Sequence, residues 1–168
     1  GLADIKYLEK NYGEAEANFK KVLEEFPWFK PGKQGRVKLA AILEIKEDYE
    51  AAEQKFTEVF NEETGEARLA ASLGVARCQL ARAERLKRAG DQTWQGIVKV
   101  ASENLTKVTV LFEAYPEYVS EAYWQLGRAC ELVGDVNKAK EMYKRVVDNY
   151  AKYPAAKPAG EQLRRLGG

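Results

Sequence analysis

The run Ala122-Tyr123-Trp124-Gln125-Leu126-Gly127-Arg128-Ala129, followed by Ala139 and Tyr143, decides how the rest of the chain is read. Gly127 is a small residue set in the middle of a helix-forming stretch, between Leu126 and Ala129. A second small residue, Ala139, comes twelve positions later, and a bulky ring follows it by four. Between the halves stands Gly134-Asp135, a turn dipeptide whose carboxylate is suited to cap a new helix. This pattern predicts two helices that cross closely where both residues are small, with the aromatic filling the volume between adjacent hairpins.

The same arrangement recurs upstream. Asn11-Tyr12-Gly13-Glu14-Ala15 is followed by Phe19 and Pro27, and Asp48-Tyr49-Glu50-Ala51-Ala52 is followed by Phe56. Leu39-Ala40 stands at the same offset before Ala52, and Leu73-Gly74 supplies another first half. A hairpin of this kind cannot cover its own apolar face, so neighbouring hairpins must stack. On these residues the chain resembles the tetratricopeptide repeat family, with the closest match from Ala122 to Tyr143. The resemblance implies an all-α fold, a right-handed superhelix of about four helix hairpins. It implies one solenoid domain over 1–168, with repeats at about 1–30, 31–64, 65–117 and 118–152 and a C-terminal capping helix at 155–166.

Caps and breakers predict helices near 2–10, 12–26, 32–46, 48–62, 66–89, 92–115, 118–133, 135–151 and 156–166. Asp48 and Asp135 are the expected N-caps, while Pro27, Pro116 and Pro154 stop or separate helices. Two intervals depart from the family period of about 34 residues. Ala15 and Ala52 are 37 residues apart, the excess falling in the linker Pro27-Trp28-Phe29-Lys30-Pro31-Gly32. The third unit is longer by about eighteen residues, which predicts an elongated hairpin whose tip near Gly90 projects by about 13 Å. Trp94 is expected to staple the base or middle of that hairpin, and Trp28 and Phe29 to plug a gap between repeats. The last helix is expected to bury Ala159, Leu163 and Leu166.

Composition narrows the function. Of 168 residues, 45% are hydrophobic and 32% charged, which excludes a disordered chain, and no apolar run is long enough to cross a membrane. The net charge of +1 gives no overall drive toward nucleic acid, which is not the expected partner. Histidine is absent, and Cys78 and Cys130 are far apart, so zinc sites and Ser-His or Cys-His catalysis are not expected. The carboxylate pairs Glu14-Glu16, Glu24-Glu25 and Glu62-Glu63 are read as solvent-facing. No phosphate-loop, dinucleotide or nucleophile-elbow motif occurs, so neither an enzyme nor a cofactor is expected.

The family resemblance implies a protein–protein interaction scaffold that binds a peptide or partner protein. Its groove would be lined by Gln34, Val37, Ala41 and Glu44, by Arg68, Ala71, Val75 and Cys78, and by Glu121, Trp124, Arg128 and Glu131. The carboxylate clamp of chaperone-binding members is not reproduced, because Ala41, Val75 and Arg128 stand where asparagines would. An alternative reading uses Arg82, Arg85, Lys87 and Arg88 as a basic patch on the long hairpin for nucleic acid or anionic lipid. Another is self-association through Leu2, Ile5 and Leu8 to give a homo-oligomer. The N-terminus reads as that of a piece of a larger protein. The tyrosine–proline stop at Tyr153-Pro154 before a Leu-rich cap resembles bacterial cell-envelope members, which would imply a periplasmic location.

Overall fold

The computed structural model describes residues 10–25 and 33–167, with the backbone only for Leu23, Glu24, Lys33 and Gln34. Among the described residues there are eight helices and no strand. They are α1 Tyr12–Glu25, α2 Lys33–Ile45, α3 Tyr49–Glu62, α4 Gly65–Arg88, α5 Trp94–Leu111, α6 Pro116–Val133, α7 Val136–Asn149 and α8 Ala156–Arg165. The expected all-α, hairpin-based fold is what the chain forms. Two compact units divide it, one through Val75 and one from Ala76, so that the division falls inside α4.

The hairpin turns share one design. A residue in the left-handed region is followed by an aspartate or asparagine: Lys10-Asn11, Glu47-Asp48, Gly90-Asp91 and Gly134-Asp135. At Gly134 (φ 84°) the chain reverses, with Asp135 N–H donating to the Cys130 carbonyl at 2.9 Å and Gly134 N–H to that of Glu131 at 3.0 Å. This is a Schellman closure, which satisfies carbonyls that the ending helix leaves open. Asp48 and Asp91 close the turns after α2 and α4 in the same way, onto Leu43 and Leu86. The next helix is then capped. Asp48 Oδ1 accepts from Ala51 N–H at 3.2 Å and Asp135 Oδ1 from Lys138 N–H at 3.0 Å, as predicted. Asp91 instead takes Thr93 N–H and Thr93 Oγ1, and α5 begins at Trp94.

Packing follows the small-residue and ring pattern. In the first unit Ala15, Phe19 and Ile42 form a cluster flanked by Tyr12 and Leu39. Ala40, Ala52 and Phe56 are fully buried. In the second unit Ala139, Tyr143, Val146, Ala155 and Ala159 form one core cluster, with Leu163 of α8 and Leu166 at its C-cap packed on it as expected of a cap. A Cβ on Gly74 would stand 2.5 Å from Phe56 ring carbons, and one on Gly127 would stand 2.5 Å from Tyr143 Cδ1. The two glycines meet different rings. Gly74 receives the ring of the preceding hairpin's second helix, as expected of an aromatic between hairpins, whereas Gly127 receives that of its own hairpin, so Tyr143 fills the crossing inside the hairpin rather than only the space between neighbours.

Several expectations need correction. Helix α5 ends at Leu111, and Pro116 does not stop it but opens α6 at the first turn, where its fixed φ suits a helix start. The extra length of the third hairpin is real, carried by helices of 24 and 18 residues. Its tip does not project. Lys87 Nζ, close to the turn, donates to the Leu132 carbonyl at 2.5 Å, and α6 ends one residue later, so the tip lies beside α6. Trp94 sits at that tip rather than at the base or middle, with the Lys87 ammonium 4.9 Å from its ring centre. Glu16 and Glu63 are buried rather than solvent-facing, because each meets cations: Glu16 meets Lys20 and Lys46, and Glu63 meets Arg36. The expected helix at 2–10 and the residues Pro27, Trp28 and Phe29 lie outside the described residues.

Two outcomes follow. Gly127→Ala should lower stability by about 1–3 kcal/mol through overpacking against a ring that cannot turn aside. Gly96→Ala in α5, with open space at the Cβ position, should instead raise it by about 0.5–1 kcal/mol. Denaturant titration of both variants checks this, and equal effects would contradict the packing. Glu16 supplies a pH test. Hydrogen bonds from Lys20, at 2.6 Å, and from Lys46 hold its carboxyl below the ordinary value near 4.5, against the opposing effect of burial. A depressed folded pKa means stabilisation that is full above the unfolded value and is lost as pH falls through the folded one. Melting temperature should therefore fall on acidification below about pH 5, and Glu16→Gln should flatten that part of the profile. An unchanged profile in the variant would remove Glu16 from the account.

Candidate partner-binding cleft

Helix α6 carries the candidate site because one side of it is charged and aromatic while another is core. Val119, Ala122, Leu126, Gly127 and Ala129 are buried, and Glu121, Trp124, Arg128 and Glu131 recur at three- and four-residue spacing on another side. Three of these, Trp124, Arg128 and Glu131, line a cleft of about 240 Å³ together with Glu84 and Lys87 of α4, Leu132, and Gln162 and Arg165 of α8.

Polar contacts pre-organise this cleft. Arg128 pairs with Glu84 at 3.0 Å and donates to Gln125 Oε1 at 3.1 Å. Gln125, itself buried, donates to Glu121 Oε1 at 2.8 Å, and Arg77 lies 3.7 Å from that same oxygen. Charge thus alternates along the seam between α4 and α6. At the other end Glu131 accepts the Tyr143 hydroxyl at 2.5 Å and pairs with Arg165. Burial, and then the Glu131 carboxylate, push the Tyr143 hydroxyl far above the usual tyrosine range, so it stays a donor at any physiological pH. Trp124 stacks on Tyr143 with ring centres 5.1 Å apart, tilted by 40°. It packs within its own hairpin, and it is half-buried while bordering the cleft.

The other candidate residues are placed as follows. Val37, Ala41 and Glu44 lie half-buried on α2, and Gln34 lies on α2 with its side chain outside the described residues. Arg68 is exposed, its guanidinium 4.4 Å from the Phe60 ring centre, and Val75 is half-buried. Ala71 and Cys78 are fully buried, so they present nothing to a partner; α4 is packed on more sides than a groove-lining helix would be. The basic run is dispersed. Arg82 is half-buried, Lys87 is held by Leu132 and Trp94, Arg88 approaches Glu84 at 3.8 Å, and Arg85 is exposed. Leu2, Ile5 and Leu8 lie outside the described residues.

Four cleft residues, Glu84, Leu132, Gln162 and Arg165, were not among the sequence candidates. Glu84, Gln162 and Arg165 come from neighbouring helices at long separations, such as 44 residues for Arg128 and Glu84, and no periodic signal links them, while Leu132 follows Glu131 on α6 itself. Among the described residues no group of histidine, cysteine and acidic side chains could hold a metal, and no helix is long and apolar enough to cross a membrane.

Residues 120–153, which comprise nearly all of α6, all of α7 and the turn after it, match the family model of the tetratricopeptide repeat. The match coincides with the unit whose sequence pattern is most complete. No curated protein and no solved structure matches the chain significantly. Repeats of this type generally mediate protein–protein interaction and are typically non-catalytic.

Removing the Tyr143 hydroxyl tests the inner end of the cleft. Tyr143→Phe should cost about 1.5–3 kcal/mol, the range for a hydrogen bond to a charged acceptor, while leaving the ring under Trp124 in place. Tryptophan fluorescence and denaturant titration report the two parts separately. A variant as stable as the parent would show that the Glu131 contact contributes nothing.

Proposed function

We propose that the chain is a protein–protein interaction scaffold that captures a peptide or partner protein on the α6 face lining the cleft. The observation that carries this reading is the convergence of Trp124, Arg128 and Glu131 with side chains of α4 and α8 in the cleft. An aromatic surface beside half-exposed ion pairs suits a peptide. The apolar ring supplies contact area, and a partner's carboxylate or cation exchanges for Glu84 or Arg165 at little cost, since exposed pairs contribute only about 0–1 kcal/mol.

The same reading extends to Val37, Ala41 and Glu44 on α2 and to Arg68 and Val75 on α4 as groove positions of one solenoid domain. It also includes a place in a cell-envelope assembly, supported by the Tyr153-Pro154 turn that leads into the Leu-containing cap α8. Subcellular fractionation of the tagged native protein tests that location.

Replacing Glu84 and Arg128 together by alanine removes the central pair without stranding either charge. The doubly substituted protein should keep its circular dichroism and melting temperature, and lose about tenfold or more in affinity for the partner recovered by the parent. Partner recovery from native extract, followed by titration with the purified partner, measures this. Undiminished affinity in the double variant would move the binding surface elsewhere.

A further inference from the structure

On the side of α6 opposite the cleft, the second unit has a larger groove of about 450 Å³ between α5, α6 and α7. Its three walls share one spacing. Helix α5 contributes Gln95, Lys99, Ser102, Thr106 and Thr109, with alternating steps of four and three residues. Helix α6 contributes Tyr123, Leu126, Cys130 and Val133, and α7 contributes Lys138, Met142 and Arg145, with the same alternation. Steps of three and four are the seam along which one helix receives another, because they keep a single stripe facing the partner's axis. Three such seams around one space form a receptor for a helix. The volume lies within the range of about 300–1,000 Å³ typical of built binding sites.

The chemistry of the walls specifies the helix. The floor is apolar through Val98, Leu126, Ala129 and Met142, and it runs out to Val133, which is 53% exposed. The hydroxyls of Ser102, Thr106 and Thr109 donate to carbonyls of their own helix, at 2.8, 2.8 and 2.9 Å, so the α5 wall presents methyl groups and oxygen acceptors. Lys99 on α5 and Lys138 on α7 flank the floor from opposite walls. Arg145 is paired with Glu141 at 2.9 Å, and Asp135, the one acid among the described lining residues, accepts the Lys138 backbone N–H at Oδ1 and keeps its negative charge. In the cleft on the other side both acids are paired with arginines, Glu84 with Arg128 and Glu131 with Arg165, whereas in this groove the cations Lys99, Lys138 and Arg145 outnumber the one acid, Asp135.

We infer that this groove docks an amphipathic helix of a partner protein, with small or aliphatic residues on its inner stripe and carboxylates on both flanks. The docked helix sets its inner stripe along the open apolar edge formed by Tyr123, Cys130 and Val133, above the buried Leu126, Ala129 and Met142, and its flanking acids meet Lys99 and Lys138. This surface is separate from the cleft on the Trp124 face and does not depend on it. Cys130 lines the groove and Cys78 is fully buried, so thiol chemistry reports on the groove alone.

The probe is a fluorescent synthetic peptide of about five helical turns. It carries leucine at position a of a seven-residue repeat, alanine at d and glutamate at e and g, and its like charges keep it from pairing with itself. A counterpart carries lysine in place of glutamate. Anisotropy titration of the full chain should show binding of the glutamate peptide, binding of the lysine peptide weaker by about tenfold or more, and slower modification of Cys130 by a thiol reagent when the first is bound. Lys99→Glu with Lys138→Glu should reverse the preference between the peptides, and Thr106→Trp should block both by filling the groove. Glu84→Ala with Arg128→Ala, which weakens capture at the cleft, should leave the anisotropy titration of both peptides and the protection of Cys130 as they are in the parent. The inference is overturned if neither peptide binds, if both bind equally, or if a bound peptide leaves Cys130 unprotected. It is likewise overturned if the Glu84 and Arg128 substitutions abolish binding. Concentration-dependent sedimentation of the chain that Thr106→Trp abolishes would give the groove to a second copy and overturn it as well.

Discussion

The contact on which the second unit rests is the close approach of Gly127 to the ring of Tyr143. The ring occupies the space that any Cβ at 127 would need, so the identity of one residue sets how near α6 and α7 can come. That separation brings the Tyr143 hydroxyl within reach of Glu131 and puts Trp124 on the ring's other side. Core packing and cleft geometry therefore share one aromatic. In the first unit the same device appears between Phe56 and Gly74, joining one hairpin to the start of the next. A protein interior packs at crystal-like density, so a space of this shape admits glycine and little else.

Helix α6 consequently has three working sides. One is buried core, one is the charged and aromatic face that borders the cleft, and one is the seam over the larger groove. The two open sides differ in electrostatic state rather than in hydrophobicity alone. Acids and bases in the cleft have found each other across α4, α6 and α8, so a partner there exchanges one ion pair for another. The rim of the groove carries Lys99 and Lys138, which favour an acidic partner through attraction at a distance as well as in contact.

The fold was legible to a degree set by how local its causes are. Asp48 and Asp135 cap helices through amides only three residues away, so their roles could be read from sequence order alone. The burial of Phe19, Phe56 and Tyr143, and the docking of Leu163 and Leu166, followed from helical periodicity. The projecting tip was misjudged because the length of a hairpin says nothing about what runs beside it. Lys87 reaching the Leu132 carbonyl is a contact across 45 residues. Ala71 and Cys78 were misplaced for a related reason. A register carried over from a family assumes which sides of a helix are covered, and α4 is covered on more of them.

The sequence by itself determined the helices, their caps and turns and the hairpin pattern, because these depend on neighbours within a turn or two. Only the tertiary structure decided the ion-pair chain from Arg77 to Glu84, the closing of one cleft by α8, and the opening of a second groove between α5, α6 and α7. Those features depend on the rotation of each helix about its axis once packed. A change of tens of degrees there exchanges one side-chain stripe for another while leaving the periodic pattern untouched.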